Sequence, residues 1–98
     1  METPIVGLWV HRFRDGASWI MQQFDARCNW LYTDDDGAAR GARYVVKGST
    51  LVLQGSDAAL EFRYKIKGDT MNLDNRAYKR ANKAEESLFT QSLMRAKH

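Results

Sequence analysis

The amino-acid sequence predicts an all-β domain, a small antiparallel up-and-down barrel of seven or eight short strands in meander order, on three observations. A strand-turn-strand segment occurs twice: Arg43-Tyr44-Val45-Val46-Lys47-Gly48-Ser49-Thr50-Leu51-Val52-Leu53 returns as Arg63-Tyr64-Lys65-Ile66-Lys67-Gly68-Asp69-Thr70-Met71-Asn72-Leu73, and each copy reads as a β-hairpin. Leu60, Phe62, Tyr64 and Ile66 alternate with Ala59, Glu61, Arg63, Lys65 and Lys67, the pattern of an antiparallel strand with one wet face. Turn-forming clusters punctuate the remainder at short intervals.

The elements follow in order. Residues 4–13 hold Ile5, Val6, Leu8, Trp9 and Val10, the β-branched and aromatic content of a first strand. It ends at Asp15-Gly16, a dipeptide that accepts positive φ. Residues 17–24, with Trp19, Ile20, Met21 and Phe24, form the returning strand. Residues 27–33 form the third, with Cys28, Trp30 and Tyr32 on one face and Arg27, Asn29 and Leu31 on the other. Asp34-Asp35-Asp36-Gly37 closes it. This acidic cluster reads as a turn and not as a calcium loop, because no bidentate Glu follows at the required distance.

From Ala38 the two hairpins take over, with Gly48 and Gly68 as structural residues at the tight turns; valine at either is expected to damage folding more than any surface charge change. Residues 75–86 are polar, carrying Arg76, Lys79, Arg80 and Lys83 against Glu85 and Glu86, and read as a solvated connection. Residues 87–94 are expected to form a closing strand with Phe89, Gln91 and Leu93 on one face, since an open meander leaves an edge to be covered. The alternative is a short helix from Ala84 with Leu88 and Leu93 beneath.

Composition bounds the rest. The 98 residues make a single domain spanning 1–98, with 44% hydrophobic and 28% charged residues, an ordinary globular balance. No apolar run is long enough to span a bilayer as a helix. Met1-Glu2-Thr3-Pro4 lacks the basic and apolar regions of a signal peptide, which gives a cytoplasmic expectation as written, or a periplasmic one if a leader has been removed. The single cysteine, Cys28, rules out an internal disulfide and reads as a small core residue. The net charge of +3 makes the surface mildly basic.

Gly7-Leu8-Trp9 matches the G-x-W signature of the first lipocalin strand, and the repeated Tyr-x-hydrophobic-x-Gly-x-x-Leu-x-Leu hairpin is similar to small bacterial lipocalin-like β-barrel domains. The resemblance covers most of residues 5–74. It implies that Gly7 and Trp9 are structural, that Trp9 lies across the closed end of the barrel, and that Arg80 or Arg95 packs over it. The chain is much shorter than a full lipocalin and is not expected to carry that family's long C-terminal helix, and this departure argues against a large ligand cavity. Trp9, Trp19, Trp30, Tyr32, Tyr44, Phe62 and Tyr64 are expected to turn inward and largely fill a barrel of this width.

For function the residues exclude more than they identify. His11 and His98 are far apart, Glu61 and Asp69 sit at exposed positions, and no glycine-rich phosphate loop precedes a helix. An enzyme, a metal site and a cofactor are therefore not expected. The expectation is a non-enzymatic binding module for a small apolar ligand or a protein partner, with Trp19, Trp30, Tyr44, Phe62 and Tyr64 as cavity candidates. The alternative is an interaction or inhibitor protein, or a weak nucleic-acid binder, using a basic outer face of Arg43, Lys47, Arg63, Lys65 and Lys67. Nucleic acid is the less favoured partner, because the aromatics that would stack on bases alternate inward. An uncovered edge strand would permit a homodimer.

Overall fold

The computed structural model describes residues 4–55 and 58–96. Eight antiparallel strands run in sequence order: β1 (Gly7–Arg12), β2 (Trp19–Phe24), β3 (Asn29–Asp34), β4 (Ala39–Lys47), β5 (Thr50–Gln54), β6 (Ala59–Lys67), β7 (Thr70–Leu73) and β8 (Arg76–Arg80). Each pairs with its neighbour and β8 returns to β1, so the sheet closes into an up-and-down barrel. A helix, α1 (Lys83–Ala96), follows. No helix among the described residues is long and apolar enough to cross a membrane.

Both repeated hairpins form as their spacing predicts, with Lys47 opposite Thr50 and Lys67 opposite Thr70. Gly48 and Gly68 each stand at φ 59°, the positive value that the first central residue of such a turn requires. The predicted alternation of β6 also holds. Leu60 pairs with Leu53, Phe62 with Leu51, Tyr64 with Leu73 and Ile66 with Met71, all on the inner face.

The C-terminal quarter departs from the sequence expectation. Residues 76–80 are a strand, not a solvated connection, and they close the barrel with Trp9 opposite Arg80 and Val10 opposite Lys79. Asp74 and Asn75, at φ 50° and 65°, make the preceding turn without glycine, since short polar side chains tolerate the left-handed region. With β8 in place there is no open edge for residues 87–94 to cover. No strand edge is left free among the described residues for edge-to-edge dimerisation.

Those residues form α1, and the cause is local. Asn82 Oδ1 accepts from Glu85 N while Glu85 Oε1 accepts from Asn82 N, both at 2.9 Å, a reciprocal capping box. Glu85 and Glu86 lie in the first turn and Arg95 in the last, as the helix dipole favours. The other carboxylate oxygen of Glu85 holds Arg12 of β1 at 2.9 Å, tying the helix start to the barrel wall.

Two apolar layers result. Inside the barrel, Trp9, Ile20, Phe24, Tyr44, Leu51, Leu53, Met71, Leu73 and Tyr78 pack with Ile5. Outside, Phe89, Leu88 and Leu93 of α1 cover Leu8, Val10, Trp19, Met21 and Leu31. Each fully buried side chain of this kind stabilises the fold by about 1.5–3 kcal/mol. Trp19 thus belongs to the outer layer, a correction to its expected inward placement. Strands β1 and β2 are covered on both faces, so Trp19-Ile20-Met21 reads as a continuous apolar run whose phase the sequence does not reveal.

Cys28 is likewise not a core residue. It is exposed and sits at φ 68° in the β2–β3 turn. The turn is built by Asp25, whose Oδ1 accepts from the amides of Arg27 and Asn29 at 2.8 and 2.9 Å. Those bonds stabilise the ionised carboxylate and hold its pKa below the usual value, the Asn29 amide contributing most.

The closed end is organised by Arg80. Its guanidinium lies 3.9 Å from the centroid of the Trp9 ring and donates at 2.7 Å both to Val6 O and to Pro4 O. Trp9 Nε1 donates to Ile5 O at 2.9 Å, which leaves the wholly buried indole with no unpaired polar atom. Gly7 is required by the same contact: its φ is +137°, and a Cβ there would collide with the Arg80 guanidinium. Of the two arginines expected over Trp9, the partner is Arg80.

Replacing Arg80 by alanine removes the stacking and two charge-assisted hydrogen bonds and is expected to lower unfolding free energy by about 2–3 kcal/mol. Lysine should restore less than half, because it lacks the planar fork. Urea denaturation of the two variants measures this; equal stability of Arg80→Ala and wild type would contradict the role assigned to Arg80.

Candidate functional site

The end of the barrel opposite Trp9 is not filled. A cavity of about 370 Å³ opens there, walled by Ile20, Leu53, Leu60, Phe62 and Leu73, by the rings of Trp30, Tyr32 and Tyr78, and by Gln22. Exposed Arg40 and Arg76 stand at its margin with Asp74. The side chains reach it because the inner face of each strand is set by pairing: Gln22 opposes Tyr32, Leu53 opposes Leu60, and Leu73 opposes Arg76. Leu60, at the rim, is 57% exposed, a large apolar side chain left in solvent at the entrance.

The volume is within the range of small-molecule sites. It corresponds to about a dozen non-hydrogen atoms at roughly 30 Å³ each. The expected packed interior is therefore correct for the closed half, where Trp9, Phe24 and Tyr44 meet, and incorrect for the open half. Of the predicted cavity residues, Trp30 and Phe62 line it. Tyr44 lies at the closed end, edge-on to Phe24 at 5.2 Å with its hydroxyl donating to Asp25 O at 2.6 Å. Tyr64 points into the barrel but donates to Gly48 O at 3.3 Å and is not part of the lining. Trp19 lies beneath α1.

Sequence reasoning missed Gln22 and Tyr78, the polar centre of the cavity. Both are more than nine-tenths buried. Trp30 Nε1 donates to Gln22 Oε1 at 2.8 Å, and Gln22 Nε2 donates to Tyr78 Oη at 2.9 Å. An indole can only donate, so this chain has one direction and the Gln22 amide one orientation. The signal was present in the strand alternation: Gln22 stands between Ile20 and Phe24 on the inner face of β2, where a polar group must find a partner.

The acidic turn behaves as the sequence reading expects. Asp34 Oδ1 accepts from the amides of Asp36 and Ala38 at 3.0 and 3.1 Å, and Oδ2 accepts from the Tyr32 hydroxyl at 3.0 Å. Asp35 Oδ1 accepts from Trp19 N at 2.9 Å. Among the described residues no group of three or more His, Cys, Asp or Glu is placed to hold a metal ion.

Arg43 and Lys47 of β4 and Arg63, Lys65 and Lys67 of β6 flank β5 on the outer face, and all are exposed. Glu61 interrupts the stripe opposite Val52. No aromatic side chain stands among these cations on that face, since Tyr44, Phe62 and Tyr64 all turn inward.

Comparison of the chain with protein-family profiles, with curated proteins and with solved structures returns no match to any of them. The barrel and its cavity therefore carry the functional argument.

All the tyrosines have phenol pKa values above the ordinary one, with burial as the first cause in each. Tyr32 is pushed up to about 12, with the hydrogen bond to Asp34 and its charge adding to burial. For Tyr78, the bond from Gln22 and the nearby Arg76 pull the other way without reversing the rise. A raised folded-state pKa favours the neutral phenol on folding. The resulting stability is full below the unfolded value of 10.0 and is lost as pH rises toward about 12. An alkaline absorbance titration should find no tyrosine ionising at the free-phenol midpoint while the protein is folded. Ionisation of all of them near that midpoint, without unfolding, would contradict the buried placement.

Proposed function

We propose that this protein is a non-enzymatic binding module that takes one small, largely apolar molecule into the open end of its barrel. The observation that carries the reading is the cavity of about 370 Å³ walled by Ile20, Leu53, Leu60, Phe62 and Leu73. A folded interior normally leaves few voids larger than a water, so an apolar space of this size at a barrel mouth is what a ligand site requires. The relation to lipocalin-like barrels remains part of this proposal. It is supported by Gly7, Trp9 and Arg80 acting together at the closed end.

The barrel wall supplies binding by burial. Each apolar group of a ligand moved out of water contributes about 25 cal/mol per Å². The preformed strands keep the ordering cost low.

Calorimetric titration with 1-methylnaphthalene tests the proposal. Saturable one-to-one binding is expected for the wild type. Leu60→Trp places an indole at the exposed rim, leaves the packed half untouched, and is expected to weaken binding at least tenfold with an unchanged melting temperature. Absence of binding by the wild type, or full affinity in Leu60→Trp, would overturn the proposal.

A further inference from the structure

The buried polar groups in the cavity leave a proton donor, and no acceptor, free to meet a ligand, which points to the chemistry of that ligand. Gln22 Oε1 is occupied by the Trp30 indole at 2.8 Å, and Tyr78 Oη already accepts from Gln22 Nε2 at 2.9 Å. The Tyr78 hydroxyl proton has no acceptor among the described residues, although the side chain is only 3% exposed. A buried hydroxyl of this kind seeks a partner, and the space beside it is the cavity. Burial keeps the phenol protonated, so Tyr78 remains a donor at neutral pH.

The margin adds charge of one sense. Arg40 and Arg76 border the cavity, and the Arg76 guanidinium is steadied over the Phe13 ring at 5.2 Å. Two carboxylates are close. Asp74 borders the cavity, whereas the oxygens of Asp34 are engaged by its own turn and by Tyr32. The free valences facing a ligand are therefore mainly donors, backed by guanidinium groups that match a carboxylate. Around them stand the aromatic rings of Trp30, Phe62 and Tyr32, which offer apolar surface to a flat body.

Resting on the binding role proposed above, we propose that the ligand is a small aromatic acid bound as its carboxylate. The ring system stacks among Trp30, Phe62 and Leu53. One carboxylate oxygen accepts the Tyr78 hydroxyl proton, and the charge faces Arg76. A neutral molecule of the same shape fills the same space but leaves the Tyr78 donor unpaired, a cost that favours the acid.

Calorimetric titration with 1-naphthoate beside 1-methylnaphthalene separates the two levels of the argument. Naphthoate is expected to bind at least tenfold more tightly than the hydrocarbon and to weaken with added salt. Tyr78→Phe should reduce naphthoate affinity about tenfold and leave the hydrocarbon unchanged. Arg76→Gln also gives up the contact with Phe13, so it is compared at a temperature where it is fully folded; it should lower naphthoate affinity, flatten its salt dependence and leave the hydrocarbon unchanged. If the hydrocarbon binds and naphthoate is no tighter, the acid is wrong and the binding role stands. The acid is also wrong if naphthoate binding is indifferent to both substitutions. If neither probe binds, both proposals fail.

Discussion

The structure depends on the closure of the barrel between its first and last strands, and that closure is held by the Arg80 guanidinium lying on the Trp9 ring. A meander of short strands has two edges, and its hydrogen bonds are complete only when those edges meet. The β1–β8 ladder is brief, with Trp9 opposite Arg80 and Val10 opposite Lys79. Arg80 reinforces it by reaching past the ladder to the carbonyls of Val6 and Pro4, which brings the segment before β1 under the barrel floor. Gly7 makes room, and Ile5 fills the base. One cation, one ring and one missing Cβ thus convert a sheet into a vessel with one closed end.

The helix completes the other side of the wall. Without α1, Leu8, Val10, Trp19 and Met21 would form an apolar patch on the barrel exterior. A capping box starts the helix beside β8, and the Arg12–Glu85 pair holds that start against β1. Exposed ion pairs contribute little on average, with Arg12 half in solvent, so the weight falls on the packing of Phe89 and the cap. Rigid walls also preserve the cavity, which persists only where the surrounding strands cannot collapse into it.

The legible parts of the sequence are those where a local rule and the tertiary environment agree. The hairpins at Gly48 and Gly68 and the alternation of β6 have one wet face and a glycine at each turn, and they form as expected. Strand β8 was hidden because its inward residues are Arg76, Tyr78 and Arg80, two of them charged, and its turn uses Asp74-Asn75 in place of glycine. Trp19 faces outward, against expectation, because both faces of β2 are covered and the period-two contrast vanishes. The helix start is encoded in Asn82-x-x-Glu85, a capping box, and the expected strand over residues 87–94 does not form because β8 already closes the edge it would have covered. Trp30 and Phe62 were identifiable as inward aromatics. Gln22 and Tyr78 become visible as a pair only through pairing that joins β2 to β8 by way of β1.

The vessel is sealed at Trp9 and open at Leu60, so the packed core lies toward one end of each strand and the proposed binding site toward the other. The most direct test is a nuclear Overhauser measurement across the β1–β8 seam. The account predicts cross-strand contacts between the backbones of Trp9 and Val10 and those of Arg80 and Lys79, with the Arg80 side-chain protons shifted upfield by the Trp9 ring. Absence of those contacts in a folded protein, with Arg80 at ordinary chemical shifts, would contradict a closed barrel.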